Sequence, residues 1–164
     1  MKDIPVVDDI NELSDLSRKL NEKSDALNAA ISSINKKLAK LNFGVEVWLE
    51  QSPIECGDFD TNTSEIEDRL TDPTADATLL GYCHVEDAWQ LAVKYVTLHA
   101  RKDKLGRVYN EATDSLQPRP LLKASRQLRF KSASEIPQIL DRIKDEATLL
   151  LEGIEKAEKT ASKL

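Results

Sequence analysis

LSDLSRKLNEKSDALNAAISSINKKLAKL, residues 13–41, places Leu13, Leu20, Leu27, Ile34 and Leu41 seven residues apart. Ser17, Ser24, Ile31 and Leu38 fill a second line, so nine positions follow in strict 4-3 alternation. That period is the seam of a helix meant to be covered along one face. Asp9 with Glu12 three residues later has the form of a capping box. Acidic residues gather early and Lys36, Lys37 and Lys40 come late, which suits the helix dipole, and Gly44 is a natural stop. The spacing predicts a helix over 9–42.

The far end of the chain carries the same signal. Ile136, Ile143, Leu150, Ala157 and Leu164 form one line, and Leu140, Ala147, Ile154 and Ala161 the other. Ser134 is the candidate N-cap of a helix over 134–164, and Pro137 falls in its first turn, where a missing N–H breaks no helix bond. Each stripe covers 29 residues, about 42 Å at 1.5 Å per residue. Equal lengths predict that the two helices pair as an antiparallel coiled-coil hairpin, Leu41 by Ile136 and Leu27 by Leu150. Pairing between chains satisfies the same pattern. Leu16, Ile139, Leu149 and Leu151 are apolar residues left outside the two-helix seam, which makes them the candidate oligomer interface of a homodimer, or a surface packed under the rest of the chain.

Between these flanks the composition changes. All eight aromatic residues, from Phe43 to Phe130, lie in residues 43–131, a β-rich head. Val45, Val47 and Leu49 alternate with Glu46, Trp48 and Glu50, as in a half-buried strand. Thr78 to Val85 and Ala88 to Ala100 read as two strands turning at Glu86 and Asp87, although that turn lacks glycine. A fourth strand is expected from Leu121 to Lys131, where Leu122, Ala124, Arg126, Leu128 and Phe130 alternate against a basic opposite face. The expected fold is α+β in a single domain over 1–164, with a mainly antiparallel sheet of four strands, or five if Arg107 to Tyr109 forms a short one.

The 40% apolar content is enough for a folded core, and no apolar run approaches the ~20 residues that span a bilayer. The opening MKDIPVVDDI is acidic where an export signal needs an apolar stretch, and two cysteines make no disulfide scaffold. A soluble cytoplasmic protein with free thiols is the expectation. A net charge of −6 argues against general affinity for nucleic acid.

Charge is segregated within the head. Residues 51–77 hold eight acidic side chains against Arg69, and residues 101–131 hold nine basic ones against Asp103, Glu111 and Asp114. Either the acidic connection lies across the basic strand and neutralises it, or the basic face is free to dock. In the second case Lys123, Arg129 and Lys131 share strand parity and form a candidate partner-binding face for phosphates or an acidic protein. Trp48 has the parity of Glu46 and Glu50, so it is either an exposed interface anchor or lies under the 51–77 connection.

Asp58, Asp60, Asn62 and Ser64 imitate the start of a calcium loop, but Thr63 stands where glycine is needed and Arg69 where the bidentate Glu is needed. Cys56, Cys83, His84 and His99 lack the paired spacings of a zinc site, and Cys83 and His84 should point to opposite faces of a strand. No metal and no cofactor are therefore expected. Phosphate-binding glycine loops, nucleophile elbows and zinc-protease motifs are missing from the sequence, so no enzyme is expected.

The favoured expectation is a noncatalytic protein-interaction or assembly protein, with a coiled coil for association and a β head for docking a protein partner. The alternative is a nucleic-acid-associated accessory protein using the basic strand. The order helix, β insert, helix also resembles the general plan of prefoldin-like subunits, which would imply a holdase chaperone.

Overall fold

A computed structural model describes residues 6–60 and 73–163 of the chain. Helix α1 runs from Val6 to Leu41 and α3 from Ile136 to Ala161, with a shorter helix α2, Arg126–Ala133, preceding α3. Strands β1 (Val47–Trp48), β2 (Glu55–Cys56), β3 (Thr74–Val85), β4 (Ala88–Lys102), β5 (Val108–Asp114) and β6 (Arg119–Pro120) form one sheet, and a 3-10 turn covers Leu121–Lys123. The fold is α+β with an antiparallel sheet, and among the described residues no helix is long and apolar enough to cross a membrane.

The β3–β4 hairpin is its centre, paired from Thr74↔His99 to Val85↔Ala88. Its turn uses Glu86 and Asp87 at φ 49° and 62°, so two ordinary residues occupy the left-handed region that a tight hairpin demands. β1 and β2 lie along one side of β3, and β5 and β6 along one side of β4. The sheet curls until its sides meet. Gln51 Nε2 donates to the carbonyl of Asn110 at 2.8 Å, and the Asn110 N–H donates to Gln51 Oε1 at 3.0 Å, which ties the segment after β1 to β5.

Alternation along the hairpin produces two apolar faces. Leu80, Tyr82, Leu91 and Val93 point towards the helices and pack with Val47, Leu49, Leu121 and Leu128. Ala77, Leu79, Val96 and Leu98 point the other way, into the curl, with Trp48 and Ala112 against them. Onto the first face α1 lays Leu27, Ile31, Ile34 and Leu38, and α3 lays Ile136, Ile139 and Ile143. Asn35 fixes α1 further by accepting the Leu91 N–H at 2.9 Å.

Several expectations change here. The long helices do not zip together along their stripes: α1 packs mainly on β4, α2 and the 3-10 turn, and α3 on β1 and β3. They approach each other where Leu38, Leu140, Ile143 and Ala147 line a common cleft. The broad sheet face competes with the partner helix for each stripe and takes it. Ile139, expected in an oligomer interface, is 0% exposed, because a helix resting on a sheet buries a wider arc than a two-helix seam does. The expected strand from Leu121 to Lys131 is a 3-10 turn followed by α2, started by Ser125, whose hydroxyl accepts the Leu128 N–H. β1 is only two residues long, and β5 extends to Asp114 instead of stopping at Tyr109. Helix α1 ends at Leu41, and Asn42, at φ 49°, turns the chain two residues before Gly44.

Candidate functional site

Each half of the long helices has a different environment. On α1 the residues Leu27, Ile31, Ile34 and Leu38 sit on the sheet, and the same stripe continues back through Leu20, Leu13 and Ile10, with Leu16 beside it, all four more than half exposed. On α3 the buried Ile136, Ile139 and Ile143 give way to Leu150, Leu151 and Ile154, about half exposed, with Leu149 beside them at 62%. A helical stripe keeps its direction, so these uncovered halves are continuations of core-facing surfaces, and among the described residues nothing is laid over them. Leu16, Leu149 and Leu151 thus stand exposed, as an association surface requires, and Ile139 does not.

Beside the uncovered part of α1 lies an open cleft of about 440 Å³, lined by Leu20, Lys23, Ser24, Leu27, Arg126, Gln127 and Phe130. Phe130 is 73% exposed although it belongs to α2, which is buried through Leu128 and Ser132 on its opposite side. Arg126 spans to α1, donating to Asn21 Oδ1 at 2.7 Å. Neither Phe130 nor Arg126 stands out in the sequence as a site residue, because the alternating pattern assigns Phe130 to the inner side of a strand. Ser125 was the signal for a helix, since it starts a 3-4 spacing through Leu128 and Ser132.

The other expected partner-binding residues do not share a face. Lys123 pairs with Glu86 at 2.6 Å, Lys131 with Glu55 at 2.8 Å, and Arg129 donates to the Ala124 carbonyl and to Ser24 Oγ. The Lys131–Glu55 contact does join the basic segment to the acidic connection.

Trp48 points away from Val47 and Leu49, as its parity requires, and is half-buried in the curl of the sheet. Its Nε1–H donates to Glu46 Oε1 at 2.6 Å, and the Lys94 ammonium lies 4.3 Å from its ring centroid. Lys94 is nearly buried yet keeps its charge company, with Asp114 Oδ1 at 2.9 Å. Cys83 lies near the same group, and burial, followed by the Glu46 carboxylate, pushes its thiol up to about 11 against the opposing pull of Lys94. These groups neutralise one another and hold the strand in place, leaving no thiolate at neutral pH.

His84 stacks edge-on to Trp89 near the hairpin turn, whereas His99 lies at the far end and contacts Thr113 Oγ1 through Nε2 at 3.1 Å. Among the described residues no group of three or more His, Cys, Asp and Glu is placed to hold a metal ion. Asn62, Thr63, Ser64 and Arg69 of the calcium-like spacing lie outside the described residues, as does Leu164. No protein-family model, curated protein or solved structure matches the chain.

Proposed function

We propose that this is a noncatalytic protein-interaction or assembly protein that self-associates through the uncovered halves of α1 and α3, with the β unit docking a protein partner. The observation that carries this reading is the continuity of each stripe from buried core into water. Ile10, Leu13, Leu16 and Leu20 on α1 and Leu149, Leu150, Leu151 and Ile154 on α3 leave on the order of 800 Å² of apolar surface exposed per chain, the contribution of one partner to a standard interface. The strict heptad spacing of both stripes favours helical partners, so the coiled coil read from the sequence becomes one formed between chains. A basic strand face for nucleic acid loses its support, since Lys123 and Lys131 are ion-paired on different surroundings.

Sedimentation equilibrium of the full chain tests the reading. A stable oligomer is expected, and L13E with L20E should shift it towards monomer while the β signal in circular dichroism persists, because both positions are largely exposed in the single chain. A wild-type chain that sediments as a monomer at high micromolar concentration would refute it.

A further inference from the structure

The cleft between α1 and α2 has a floor of Leu20, Leu27 and Phe130, with Lys23 on one rim and Arg126 on the other. Among the described residues neither cation makes an ion pair. An occupant must therefore be apolar along its centre and acidic at its sides.

Resting on the self-association proposed above, we infer that this cleft seats the first part of α1 from a second copy of the chain, laid antiparallel across its own α1. The early part of α1 has the required character: Ile10, Leu13 and Leu16 are exposed, and its first charged residues, Asp8, Asp9, Glu12 and Asp15, are all acidic, with no base before Arg18. The uncovered part of α3 is a poorer match, because Glu152, Glu155 and Glu158 are interleaved there with Lys156 and Lys159.

A two-fold axis passing between Leu16 and Ser17 sets the register. It puts Leu13 of one chain opposite Leu20 of the other, and Ile10 opposite Lys23 with Asp9 alongside. Glu12 then faces Asn21, the residue to which Arg126 is already hydrogen-bonded at 2.7 Å. In this register both acidic side chains meet a basic rim. Because the two chains are related by a two-fold axis, the contact is isologous and closes at two copies instead of growing into a fibre.

Charge reversal tests the seat. K23E with R126E is expected to raise the dimer dissociation constant by about tenfold or more at low salt, and adding D9K with E12K should restore it. All four positions are exposed, and far-UV circular dichroism verifies that each variant is folded. If the reversed pair dimerises as tightly as the wild type, self-association stands and this seat is wrong. Failure of the folded fourfold variant to recover also overturns the seat, and a monomeric wild type removes both the seat and the function it rests on.

Discussion

Replacing Gly81 by Ala tests whether the curl of the sheet is as tightly closed as the structure requires. A Cβ at position 81 would lie 2.2 Å from Trp48 Cε3, 2.5 Å from Cδ2 and 2.6 Å from the Val47 carbonyl oxygen, where carbon atoms normally stay about 3.5–4.0 Å apart. The ring cannot simply swing away, because its N–H is held by Glu46 and its face by Lys94. Nor can the carbonyl retreat without opening the short β1–β3 pairing at Val47↔Tyr82 and Trp48↔Gly81. Overpacking of this kind costs about 1–3 kcal/mol, and a displaced ring forfeits the cation–π contact, about 0.5–2 kcal/mol. Together they predict a loss of roughly 3 kcal/mol, or a fall in Tm of about 6–12 °C for a chain of this size. Urea unfolding at one fixed, low protein concentration measures the loss. Trp48 emission in a W89F background should shift to the red as the ring leaves its site. A G81A chain within about 0.5 kcal/mol of its parent, with Trp48 emission unmoved, would refute the packing argument.

Two further outcomes follow from burial. I139A should cost about 2–5 kcal/mol, the penalty for truncating a fully buried isoleucine, whereas L149A should change the stability of the single chain by less than about 0.5 kcal/mol; thermal denaturation of dilute samples compares them. In the native protein Cys56 should be alkylated at neutral pH while Cys83 is spared until unfolding, as mass spectrometry of the labelled peptides would record. The Cys83 thiol is raised from its ordinary 9.0 to about 11, so it favours the folded state fully below pH 9.0, and that contribution is lost as pH climbs towards 11. Labelling of Cys83 should therefore accelerate over that alkaline window, and equal labelling of both thiols at neutral pH would contradict its burial.

What the chain reveals before folding depends on how local the governing forces are. The β3–β4 hairpin was legible because its Val, Leu, Tyr and Thr content and its turn at Glu86 and Asp87 are local properties. The side to which Trp48 points was legible for the same reason, since strand parity fixes it. The partner of each helical stripe was not legible. A heptad pattern states that a face will be covered, and Leu80, Tyr82, Leu91 and Val93 cover it as well as a second helix does. Ile136, Ile139, Leu140 and Ile143 form a wider arc than a two-stranded seam uses, which was the available hint that α3 lies on a sheet. At Leu121 to Lys131 the alternation of apolar residues was coincidental, and Ser125 decided the outcome by capping a helix. Phe130 and Arg126 were hidden with it, because a cleft between two helices exists only once both are in place.

The Gln51–Asn110 clip has a consequence for how copies of this chain can meet. A glutamine amide can present one of its two N–H bonds and its carbonyl in nearly the spacing of a peptide group, so Gln51 stands in for a neighbouring strand at Asn110 of β5. The backbone groups of Asn110 that another chain would need for cross-β recruitment are already satisfied, which discourages open-ended stacking of sheets. Self-recognition is thereby steered away from the ladder of main-chain bonds, where any sequence can join, and towards side chains, where partners can be chosen.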